Sequence, residues 1–143
     1  MWLYHGTYDM YYSDIKKSGV ITPSKHPDTM TLNLDNLINA RASRRLRGGC
    51  VYLSDDIEVM WGFDNYFRIS STKLDTGKLF VADNSQLDMI LASKNYERAV
   101  VYADNYIKSY IKFDDFLHIK DSYRKQYSPE FLYFGHIQLR MNK

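Results

Sequence analysis

Leu3-Tyr4-His5-Gly6-Thr7 opens the chain as a short strand, and two later segments answer it. Gly48-Gly49-Cys50-Val51-Tyr52-Leu53-Ser54 reads as a buried strand entered through glycines. Ser128-Pro129-Glu130-Phe131-Leu132-Tyr133-Phe134 reads as another, opened by a single carboxylate. A histidine, a tyrosine and a glutamate thus each stand on their own apolar strand. The order and context of the three segments carry the reading, because each is too short to be specific alone.

Length and composition bound what such a trio can belong to. At 143 residues the chain is expected to form one domain, 1–143, with a sizeable core. A hydrophobic fraction of 45% places it among globular rather than disordered sequences. The net charge of +2 is too small to point to nucleic acid by itself. One cysteine, Cys50, excludes an internal disulfide and suits a reducing, cytoplasmic setting. No basic segment followed by an apolar stretch marks a signal peptide, and no apolar run approaches the ~20 residues that span a bilayer. A membrane partner is therefore not expected. His26, His118 and His136 are scattered without ligand spacing, so no metal site is expected.

Working outward, residues 2–7 predict a strand and Tyr11 to Ser18 a short helix with Ile15 inward, closed by Gly19. Residues 24–32 predict a loop and 33–42 a second helix, running into Arg41, Arg44, Arg45 and Arg47. Asp55 and Asp56 favour a helix start, with Ile57, Met60 and Trp61 inward. Phe67 to Ser70 and Leu79 to Val81 predict strands around the turn Asp75-Thr76-Gly77-Lys78, and Asn84-Ser85 a helix through Ala92. Ala99 to Phe113 predicts the longest helix, with Val100, Ala103, Tyr106, Ile107 and Tyr110 inward. Lys120 to Ser128 predicts a polar loop, and Phe131 to Leu139 a terminal strand. Short strands interspersed with helices make an α+β domain.

Together these blocks resemble the ADP-ribosyltransferase superfamily, in its His-Tyr-Glu branch, which includes the poly(ADP-ribose) polymerases and diphtheria-toxin-like enzymes. The opening strand, Ile15, Gly19-Val20 and Pro23 match that branch's first block. Gly49-Cys50-Val51-Tyr52-Leu53-Ser54-Asp55 resembles the second and Glu130-Phe131-Leu132-Tyr133-Phe134 the third. The resemblance covers about a third of the chain. It implies a split β-sheet core with flanking short helices, and NAD as co-substrate.

It also implies roles. His5 would orient NAD through a ribose hydroxyl, and Gly6 would offer its backbone to the nicotinamide amide, since glycine lets a ligand reach the main chain. Tyr52 would stack on the cationic ring. Phe63 or Tyr66 would close the sandwich, with Phe63 preferred on spacing. Thr7 and Ser54 join the cofactor contacts. Glu130 would be catalytic, stabilising the charge that builds on the ribose as the nicotinamide bond breaks.

Departures from the family pattern narrow the substrate. Ser128 stands where arginine-modifying members carry an acidic or amide residue, so an acceptor other than arginine is expected; no segment identifies an acceptor site for a growing polymer, so a single transfer is expected. The expected acceptor is a macromolecule, protein or nucleic acid. Arg47, at the glycine entry, is a candidate for the NAD pyrophosphate, and Tyr123 and Tyr127, ahead of Glu130, for acceptor contacts. RNA 2′-phosphotransferases resemble the opening block but carry a His-X-His segment in place of Tyr52. A non-catalytic NAD or ADP-ribose binding module is the other alternative.

Overall fold

The computed structural model describes residues 1–23, 50–85, 89 and 96–139. The loop expected at 24–32, the helix at 33–42 and the arginines at 41–47 lie outside the described residues, as does most of the helix expected to run to Ala92. Trp2–Thr7 (β1) alternates: Leu3 and Thr7 are buried while Trp2 is half exposed, so one face meets the core and the other water. It pairs antiparallel with Asn65–Ser70 (β4), Leu3 opposite Ile69 and Gly6 opposite Tyr66.

The core sheet is antiparallel and four-stranded. Val51–Leu53 (β3) lies against Pro129–Tyr133 (β7), with Leu79–Asp83 (β5) beyond it and Ile111–Lys112 (β6) at the far edge. A single bridge joins the outer pair to it: Tyr4 N–H donates to the Ser54 carbonyl at 2.7 Å and Ser54 N–H to the Tyr4 carbonyl at 2.9 Å. The strands therefore run β4-β1-β3-β7-β5-β6. Val20–Ile21 (β2) and Ile137–Gln138 (β8) form a separate small ladder. The architecture is mixed α+β, as the sequence predicts.

Each face of the core sheet carries its own cluster. Val51, Leu53, Leu79, Val81, Phe131 and Tyr133 point to one side and pack with Leu3 and Ile69 of the outer pair. Cys50, Ala82 and Leu132 point to the other, where Tyr106 covers them. The helices divide accordingly. Asp9–Ser18 (α1) ends at Gly19, whose φ of 72° is strained for any residue with a Cβ and whose N–H donates to the Ile15 carbonyl at 2.8 Å. Tyr96–Lys108 (α2) supplies Tyr106. Phe113–Gln126 (α3) covers the first face, the Phe116 and Phe131 rings meeting edge to face at 5.4 Å.

Four elements differ from the sequence reading. The helix expected over 99–113 ends at Lys108, and the following Ile111 and Lys112 pair with Val81 and Phe80. Ser109 closes it, donating from Oγ to the Tyr106 carbonyl at 2.6 Å. Of the inward candidates, Tyr106 and Tyr110 pack on the second face, while the side chains of Val100, Ala103 and Ile107 lie outside the described residues.

The tyrosine-rich loop expected over 120–128 is mostly the last turns of α3. Tyr123 follows the buried Phe116 by two helical turns, and that apolar stripe outweighs the polar neighbours. The expected terminal strand is two strands in two sheets, broken at 134–136. The segment after Asp56 is the 3-10 turn Ile57–Gly62; its tighter period buries Met60 and leaves Ile57 and Trp61 exposed. No helix among the described residues is long and apolar enough to cross a membrane.

Candidate functional site

The outer and core sheets part beside Gly6. In an antiparallel ladder, alternate residues direct N–H and C=O to the same neighbour. The Tyr4–Ser54 bridge aims the polar groups of Tyr4 at β3, so those of Gly6 point the same way. The next rung in register would set Gly6 against Tyr52, but among the described residues the β1–β3 ladder holds only the Tyr4–Ser54 bridge. The Tyr52 carbonyl instead accepts from Nδ1 of His5 at 2.9 Å. A side chain has taken the place of a backbone rung, and the gap it leaves is edged by the Gly6 main chain.

The protonation of His5 follows from that bond. A carbonyl only accepts, so Nδ1 carries the proton, and in the neutral ring Nε2 is then a free-standing acceptor type. Burial holds the imidazole below its usual range, and the Tyr52 bond offsets part of that shift. The Cβ of His5 stands on the face of Leu3 and Thr7, and the ring turns into the plane of the sheet to reach the carbonyl.

Glu130 lies one strand further. Tyr52 is opposite Leu132, so Tyr52 and Glu130 share a face, and extending the register sets Ser54 opposite Glu130. Oε2 of Glu130 accepts the hydroxyl of Tyr106 at 2.8 Å. Tyr106 is 0% exposed, and its ring packs with Tyr110 at 5.3 Å. A carboxylate accepts on both oxygens, and the Tyr106 hydroxyl orients this one. Sequence reading missed this contact. It offered Tyr106 and Tyr110 only among the inward positions of a helix.

The remaining candidates separate. Phe63 lies on Gly6: a Cβ added there would meet its Cδ2 at 2.3 Å, so only glycine admits the ring. Tyr8 backs Phe63 at 5.3 Å. Tyr66, opposite Gly6, is 46% exposed and meets Tyr4 edge to face at 5.9 Å. Both aromatics proposed to close the sandwich therefore border Gly6. Ser54 accepts Asp56 N–H at 3.1 Å and shapes the turn after β3, where Asp55 pairs with Arg124 of α3.

Two candidates require correction. Thr7 turns to the core, 5% exposed, with its hydroxyl 3.4 Å from the Tyr8 carbonyl, because the strand period sets it on the face of Leu3. Tyr123 is no surface contact: α3 buries it to 6% exposure between Phe116 and Tyr127. Burial first, then the charge of Asp83 and neighbouring Tyr127, push its phenol up. Tyr127 remains at the surface. Arg47 lies outside the described residues.

The structure thus sets His5, Tyr52 and Glu130 on three laterally adjacent strands, with Gly6 and Phe63 at the split between the first two. No family model, curated protein or solved structure matches the chain.

Proposed function

We propose that this chain is an NAD-dependent mono-ADP-ribosyltransferase that cleaves the nicotinamide–ribose bond and moves one ADP-ribose to a macromolecular acceptor. The observation that supports it is the order of strands: β1 with His5, β3 with Tyr52 and β7 with Glu130 are neighbours, although 47 residues separate the first pair of side chains. The split supplies what a primary amide needs. Gly6 N–H and C=O stand at its edge as donor and acceptor, and the exposed part of the Tyr52 ring offers a π-face to a cationic heterocycle. These residues fit the co-substrate that the sequence resemblance implies.

Each side chain then has a task. Nε2 of neutral His5 accepts a ribose hydroxyl and orients the sugar. Tyr52 and Phe63 flank the leaving ring. Glu130, held by Tyr106, presents negative charge where positive charge builds as the bond to nicotinamide breaks, an interaction stronger in the transition state than in the ground state. The departing nicotinamide takes the bonding electron pair, the acceptor's nucleophilic atom bonds the ribose carbon, and Glu130 can take the proton that atom loses.

Adenine-labelled NAD, offered with cell lysate with and without nuclease treatment, tests the reading. Wild type should label macromolecules, and Glu130→Gln should lose about 100-fold or more in turnover while still binding NAD. Tyr106→Phe, which keeps the packing, should lower kcat more than it raises KM. Near-normal transfer by Glu130→Gln would refute the assignment. NAD binding without transfer or nicotinamide release would make the chain a binding module.

A further inference from the structure

The solvent face of β1 and β4 carries a row of rings that the site above does not use in full. On that face β1 presents Trp2 and Tyr4, then Gly6; β4 presents Tyr66, Arg68 and Ser70. The row is built from repeated diagonal pairs. The guanidinium of Arg68 lies over the Trp2 ring at 4.0 Å, and one step along Tyr66 meets Tyr4 at 5.9 Å. Trp2 is 49% exposed, and Arg68 is exposed with no carboxylate partner among the described residues. The aliphatic members of the same strands, Leu3 and Ile69, lie on the buried face.

We propose that this row is a stacking platform for single-stranded nucleic acid. Trp2 and Tyr4 stand two residues apart on β1, about 6.8 Å, with Tyr66 diagonal to Tyr4 on β4, so neighbouring unpaired bases can meet the open sides of these rings and the guanidinium that caps Trp2. Arg68 supplies the positive charge that complements phosphate and itself stacks. A duplex hides its base faces and would gain only the charge. Trp, Tyr and Arg also anchor protein interfaces, but such anchors sit amid packed apolar contacts, and no aliphatic side chain stands on this row. By strand parity the row continues through Gly6 to the face of Tyr52 and Glu130. That continuity makes the bound strand the acceptor, a step that rests on the transferase reading above; the binding itself does not.

The test is fluorescence anisotropy with short labelled oligonucleotides, single-stranded DNA, single-stranded RNA and duplex, in the absence of NAD. At least one single strand should bind, more tightly than duplex and more weakly as salt rises. Trp2→Ala and Arg68→Ala should weaken it by between about 5-fold and 100-fold. Trp2→Phe and Arg68→Lys should keep most of the affinity. If Trp2→Ala fails to fold, Arg68→Glu carries the test from its exposed position. No single-strand binding, equal duplex binding, or affinity indifferent to Trp2 and Arg68 overturns the platform. So does a Trp2→Ala chain that binds oligonucleotide normally but no longer labels protein. Binding that behaves as expected beside a failed transfer assay would overturn the proposed function alone.

Discussion

His5 illustrates how one side chain can set both geometry and proton balance. Its Nδ1–H replaces a ladder rung, and burial keeps the ring neutral in the folded chain. The unfolded chain carries an ordinary histidine, near 6.5, and so binds a proton that the folded state refuses. The contribution is intact above about pH 6.5 and is lost as pH falls below that value toward the lowered folded one. The thermal midpoint should therefore decline on acidification through this window, and His5→Gln should flatten that part of the curve. A histidine at the end of an apolar strand is visible in the sequence. Its tautomer is not, because that depends on a carbonyl 47 residues away.

Among the elements, the join between β5 and β7 governs where Glu130 stands. Asp83, 2% exposed, is opposite Pro129 at the end of the ladder. Its carboxylate accepts Ser128 N–H at 3.2 Å, Ser85 N–H at 3.1 Å and the Ser85 hydroxyl at 2.7 Å, while Asn84 N–H donates to the Ser128 carbonyl at 2.7 Å. Truncation unmakes these partly buried hydrogen bonds. Asp83→Ala should cost about 2–3 kcal/mol in urea unfolding, and Asp83→Asn, with one acceptor oxygen kept, clearly less. Most strands were legible in the sequence, since β1, β4, β5 and β7 each show apolar alternation or runs between turn residues. The helices after Tyr96 were not divided correctly. Ser109 to Lys112 continues a helical pattern locally, and only pairing with β5 turns Ile111 and Lys112 into a strand.

At the scale of the whole molecule, the strand order is the property least accessible from sequence. β1 takes β4 as one neighbour and touches β3 on the other side at one bridge, and nothing local in those three segments specifies the pairing. His5, Tyr52 and Glu130 were singled out through motif resemblance, whereas Tyr106 acquires its meaning only when the fold brings it to Glu130. The same order predicts uneven protection. Amide hydrogen exchange should be slowest at Val81, Phe131 and Leu132, on strands paired on both sides, and markedly faster at Gly6, beside the split. A uniform profile across β1 and β7 would contradict the topology. The split has one more consequence. Any occupant that gives Gly6 an acceptor and a donor serves as the absent rung, welding two half-sheets into one. Grip on such an occupant and stiffness of the scaffold are then the same free energy read from opposite ends.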